Sequence, residues 1–167
     1  KYIKGSVVNA DKRIVNSIVN KIFDLYSDTL TELFNERTKE YQLDSYRIKQ
    51  IINQYSADVL ETEFIKFETA PISLGKFLYH LEVNGFSTSK MSKYEIGKTL
   101  EGLIKNYIFE ELLFREGYSR GLQNSSDIVK DLNEWKDSFL ASYLKSTFLD
   151  SVKSDDNNAK EFYDKIV

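Results

Sequence analysis

The sequence predicts an all-α protein: an irregular multi-helix domain with long helices and at most one short strand segment, near residues 63–68. Apolar residues recur at three- and four-residue steps through most of the chain, the period of a helix buried on one side. Turn formers are scarce, with 7 Gly and 1 Pro in 167 residues, too few for the many reversals of an all-β sandwich or barrel. At 41% hydrophobic and 29% charged residues the chain is apolar enough to build a core.

The first helical pattern starts after Asn9 or Asp11, either of which suits an N-cap. Ile14, Val15, Ile18, Val19, Ile22, Leu25 and Tyr26 form its apolar stripe, and Leu30 and Leu33 extend it. The stripe fades in the charged run Glu36 to Glu40, so one long helix is expected up to there. Asp44 or Ser45 caps a second helix carrying Ile48, Ile51, Ile52, Tyr55 and Val59. Phe64, Ile65 and Phe67 are aromatic or β-branched and suit a short strand. Pro71 lacks an N–H and biases Ala70 away from the helical region.

Ser73 caps a short helix with Leu74, Phe77, Leu78 and Leu81, closed by Asn84-Gly85, and residues 86 to 91 read as a polar loop. From Ser92 to Arg120 one helix carries Ile96, Leu100, Leu103, Ile104, Tyr107, Ile108, Phe114 and Tyr118 on a broad face, with Phe109 and Leu113 on the other side. Gly121 ends it. The next helix, 126–152, has Ile128, Leu132, Trp135, Phe139 and Tyr143 as its core stripe, while Leu140, Leu144 and Phe148 drift toward a second face. Ser154-Asp155-Asp156 is read as the cap of a final helix holding Phe162, Tyr163 and Ile166.

Little in the chain supports chemistry. Cys is absent, which excludes a disulfide framework, thiolate zinc sites and a cysteine nucleophile. His80, the only histidine, has neither a nucleophile nor an orienting acid nearby in sequence, so it reads as a structural residue. Glu61 with Glu63 and Glu110 with Glu111 are formal acid–base candidates. Adjacent helical positions diverge by about 100°, however, and Glu111 is placed to pair with Arg115 one turn on. Asp155 to Asn158 resemble a calcium loop in composition but lack its alternating ligands and its closing Glu. No phosphate loop, dinucleotide fingerprint, zinc-protease or nucleophile-elbow motif occurs. No catalytic, metal or cofactor site is expected.

A net charge of -3 with no basic run argues against nucleic acid. No apolar run approaches the roughly 20 residues of a membrane span. The opening Lys1-Tyr2-Ile3 reads as the start of an excised or processed piece. What remains is an aromatic content of 14%, with Phe109, Leu113, Trp135, Leu140, Leu144 and Phe148 as candidate polypeptide-binding residues. Such side chains offer large contact areas to unfolded or extended chains or, in a non-catalytic structural or oligomerisation module, to a fixed protein partner or a second copy of this chain.

The order of elements from residue 63 resembles the chaperone-type helical domain of the SurA and parvulin-associated peptidyl-prolyl isomerases. The resemblance rests on Glu63 to Phe67 as the opening strand, the turn through Pro71, and Ile72 to Leu78 as the Ser-capped helix. It continues in Leu103-Ile104, Ile108, Leu112-Leu113, Glu116-Gly117 and Gly121-Leu122, then in Val152 to Asp155 leading to Phe162-Tyr163. The turn lacks the family's usual Gly, and Gly117 stands where Ala is usual, a change that weakens a helix by up to about 1 kcal/mol. The implied organisation is an N-terminal helical segment, 1–62, followed by a SurA-like domain, 63–167. The resemblance implies a client-holding piece without the isomerase module, acting in the bacterial periplasm or cell envelope.

Overall fold

The computed structural model describes residues 9–27 and 30–151; the expected cap at Ser154 with its helix holding Phe162, Tyr163 and Ile166, and the calcium-loop-like segment Asp155 to Asn158, lie outside them. The described residues are 69% helical but also contain two small three-stranded antiparallel sheets, so the fold is mixed α and β. The expectation of an all-α chain with one strand is therefore wrong. The chain divides into two compact units, residues 1–113 and 114–167.

In the first unit, strand β1 (Asn9–Ala10) leads into helix α1 (Lys12–Tyr26). Asp11 joins them. Its carboxylate accepts from the backbone N–H of Arg13 at 2.8 Å and pairs with the Arg13 guanidinium at 3.0 Å. Its own N–H donates to the Phe64 carbonyl at 2.9 Å. Helix start and strand edge are thus fastened by one residue.

α1 buries Ile18, Val19, Ile22 and Tyr26 and ends at Tyr26 instead of running to residue 35. A four-residue turn of helix, α2 (Leu30–Leu33), then gives way to a hairpin of β2 (Phe34–Asn35) and β3 (Glu40–Leu43). The reason lies in Asn35. Its side-chain oxygen accepts from the N–H of Arg37 at 3.0 Å and of Thr38 at 3.2 Å, a local bond that competes with helix. Lys39 completes the reversal at φ 59. The charged run that looks like a fading helix is the tip of this hairpin.

Asp44 caps α3 (Ser45–Ile52) through the Arg47 N–H at 2.9 Å, and α4 (Ala57–Leu60) follows as a separate turn. Strand β4 (Glu63–Lys66) falls within the expected strand segment and pairs with β1 on one side and β5 (Ile72–Ser73) on the other. The turn between β4 and β5 carries Ala70 at φ 50, a conformation that favours glycine.

Ser73 caps α5 (Leu74–Asn84), its hydroxyl accepting from the Lys76 N–H at 3.3 Å, and Gly85 leaves that helix at φ 74. The expected polar loop after it contains strand β6 (Phe86–Thr88), which pairs with β3 so that Leu43 faces Phe86. Gly75 sits where a Cβ would come within 3.2 Å of the Leu60 carbonyl oxygen, so α5 approaches α4 closely there.

Both sheets and α1, α3, α5 and the first half of α6 (Lys93–Ser119) share one core, whose members run from Ile18 to Tyr107. Residues before and after position 62 contribute to it together. Phe77 is its hub: its ring lies 5.0 Å from that of Phe64 and 5.6 Å, edge-on, from Tyr107, arrangements that add to plain burial.

The second unit contains the end of α6, a short 3₁₀ turn at Leu122–Asn124 and helix α7 (Ser126–Ser151). Gly121, at φ 71 and ψ 18, is left-handed and stops α6.

Candidate functional site

The change along α6 defines the site. Ile96, Leu100, Ile104 and Tyr107 are buried, and beyond Tyr107 no α6 side chain is. Phe109 is 50% exposed and Leu113 52%, one turn apart on the same face. Phe114 and Tyr118, expected on the core face, are also exposed, and their rings contact each other at 4.5 Å.

α7 goes further. Among its described side chains none is buried, and its large apolar residues are between 40% exposed at Ile128 and 69% at Phe148. Ile128, Leu132, Trp135, Phe139 and Tyr143, expected as a core stripe, therefore face outward. At about 100° per residue the apolar positions from Trp135 around to Phe148 sweep roughly 220° of the helix.

They fall into two rows. One contains Ile128, Leu132, Trp135, Phe139 and Tyr143, with the Trp135 and Phe139 rings stacked at 5.6 Å and 17°. The other contains Leu140, Leu144 and Phe148 at four-residue steps. Of the six candidate residues, the structure thus places Phe109 and Leu113 together on α6 and Leu140, Leu144 and Phe148 together on α7. Trp135 stands in the first row. The outward residues that sequence reasoning missed are Phe114 and Tyr118 on α6 and Ile128, Leu132, Phe139 and Tyr143 on α7.

The polar rim of α7 is acidic in its first half, with Asp127, Asp131, Glu134 and Asp137 against Lys130 and Lys136. One pair, Lys130 with Glu134 at 3.8 Å, is a solvated contact worth little. Ser146 and Thr147 hydroxyls donate back to the Tyr143 carbonyl at 2.8 and 2.9 Å, so they add no free donors to the surface.

The described residues of the first unit also line clefts. A cleft of about 650 Å³ on the β2–β3–β6 sheet is lined by Asn35, Gln42, Asp44 and Arg47. Its polar groups bond each other, Asn35 to Gln42 at 3.0 Å and Arg47 to Asp44 at 2.9 Å. A second cleft, about 530 Å³, contains Tyr55, whose phenol pKa is raised by burial and whose hydroxyl sits 3.3 Å from that of Ser17, with the Lys21 ammonium 4.5 Å from its ring centre.

His80 packs against the Tyr107 ring at 4.5 Å, and its Nδ1 lies 3.3 Å from the Asn84 amide one turn on, a structural setting. Glu61, Glu63 and Glu110 are exposed. Among the described residues no group of three or more His, Cys, Asp or Glu could hold a metal, and no helix is long and apolar enough to cross a membrane.

No family model matches the chain, and neither the curated proteins nor the solved structures contain a match.

Proposed function

We propose that this chain holds other polypeptides through the exposed apolar faces of α7 and distal α6, as a chaperone-like helical module of the SurA and parvulin-associated type. The observation that carries the reading is that α7 buries none of its described side chains while presenting aromatic and aliphatic residues over most of its girth. Apolar surface on that scale marks an interaction site.

Three features favour a polypeptide over other partners. The surface is the convex side of a helix, which cannot enclose a small molecule. Its rim is acidic, whereas helices that lie on membranes carry Lys and Arg to meet anionic headgroups. The same acidity disfavours nucleic acid. A convex apolar face reads burial and not a defined hydrogen-bond pattern, so holding would be weak and tolerant of client sequence. The resemblance in residues 63–167 extends the proposal to clients of the bacterial cell envelope, in a parent protein of the peptidyl-prolyl isomerase type.

Light scattering tests the reading. A chemically unfolded client diluted into buffer should aggregate less in the presence of several-fold excess of this chain. Unchanged scattering at that excess would remove the holding role.

A further inference from the structure

We infer that the first row of α7 pairs two copies of this chain in parallel, leaving the second row for clients. Within the first row Ile128, Leu132, Trp135 and Phe139 advance by 4, 3 and 4 residues, the spacing that keeps one seam facing a partner helix, and the next step of that spacing falls on Ser142, beside Tyr143. This pairing depends on the seam alone and stands whether or not the second row holds clients.

A permanent occupant is required because α7 is a poor helix by itself. It is rich in Ser, Asp, Asn, aromatic and β-branched residues, which have low intrinsic propensity, and helical stability in proteins comes mainly from burying a face. A client arrives only at intervals and cannot sustain the helix between visits. A second copy is present whenever the chain is.

Area and charge fit that occupant. At their exposures of 40% to 67%, Ile128, Leu132, Trp135, Phe139 and Tyr143 offer an apolar patch close to what a partner contributes to a stable interface. That patch is about 600 Å², and flanking groups bring it toward the ~800 Å² per partner of a standard interface. Asp131 and Lys136 border the seam on opposite sides, five residues apart. In a parallel pair this offset sets Asp131 of each copy against Lys136 of the other; an antiparallel pair would leave both charges without that contact. The two-fold arrangement brings the second rows of both copies to the outside, so a client meets two of them.

Sedimentation of the full chain tests the pairing. The mass should rise from 19.5 kDa toward twice that value with concentration. A single species at monomer mass up to about 200 µM would overturn it. Because the chain has no Cys, Ser142→Cys introduces a lone thiol at the seam, and it should oxidise to a disulfide-linked dimer while Glu134→Cys, on the opposite side, does not. A dimer that fails to cross-link at Ser142→Cys overturns the parallel alignment. Asp131→Lys should weaken association several-fold and Lys136→Asp on the same chain should restore it; no restoration counts against the charge contact. Unchanged hydrogen-exchange protection in α1 and α5 shows that the first unit of each variant remains folded. Scattering of an unfolded client, measured on the same samples, separates loss of pairing from loss of holding.

Discussion

α1 and α7 are written in the same alphabet and end in opposite environments. Each is an amphipathic helix with Ile, Val, Leu and aromatic residues at helical steps. α1 buries Ile18, Val19, Ile22 and Tyr26, whereas the 26 residues of α7 bury none that are described. The difference is in what surrounds them. α1 begins against β4 through the Asp11–Phe64 bond, and its Tyr26 hydroxyl sits 2.9 Å from both the Arg47 carbonyl and Gln50 Oε1 on α3. On α7 the hydroxyls of Ser146 and Thr147 bond back to their own helix at the Tyr143 carbonyl. An apolar stripe states that a helix needs a cover; only neighbouring elements determine whether the chain itself supplies it.

Truncating equivalent residues in the two regions gives the largest contrast. Phe77→Ala removes a side chain with 0% exposure and should cost about 3–5 kcal/mol in urea unfolding of the first unit. Phe139→Ala, at 57% exposure, should leave the same transition within about 0.5 kcal/mol. Equal losses would mean that the two units share a core.

Backbone changes come next. Ala70 adopts φ 50, so Ala70→Gly should relieve a left-handed penalty of about 1 kcal/mol and raise the unfolding midpoint. Gly102 lies inside α6 with open space where a Cβ would go, and Gly102→Ala should stabilise by about 1 kcal/mol. A fall in stability from either change would contradict the local geometry.

The smallest effect concerns acid. Hydrogen bonds from Arg13 hold the Asp11 carboxyl pKa at about 2, below the ordinary 3.8 of an aspartate. A depressed folded value stabilises above pH ~4 and is lost as pH falls toward 2. Asp11→Asn keeps a capping side chain but removes the charge, so the wild type should have the higher thermal midpoint near neutrality and the two should converge between pH 4 and 2. Parallel acid profiles would show that the Asp11–Arg13 contact contributes nothing.

Much of the helical framework was legible in the residues. The Ser73 cap, the Gly85 and Gly121 stops and the long helices from 93 and 126 follow from caps, glycines and periodicity. Of the sheets only β4 was. β1, β2 and β5 are two residues long and β6 three, too short for alternation to appear, and the Asn35 turn hides its hairpin inside a charged run. Phe109, Leu113, Leu140, Leu144 and Phe148 were legible as outward residues because they leave the main stripes. Ile128 and Phe139 were not, because a stripe looks the same in sequence whether its cover belongs to the chain or to another molecule.

Hydrogen–deuterium exchange with an unfolded client present addresses the contrast between the units most directly. The account predicts slower exchange in α7, strongest around Leu140 to Phe148, and along α6 beyond Tyr107, with the amides of α1, α5 and both sheets unchanged. Protection appearing in the first unit while α7 exchanges as before would contradict it.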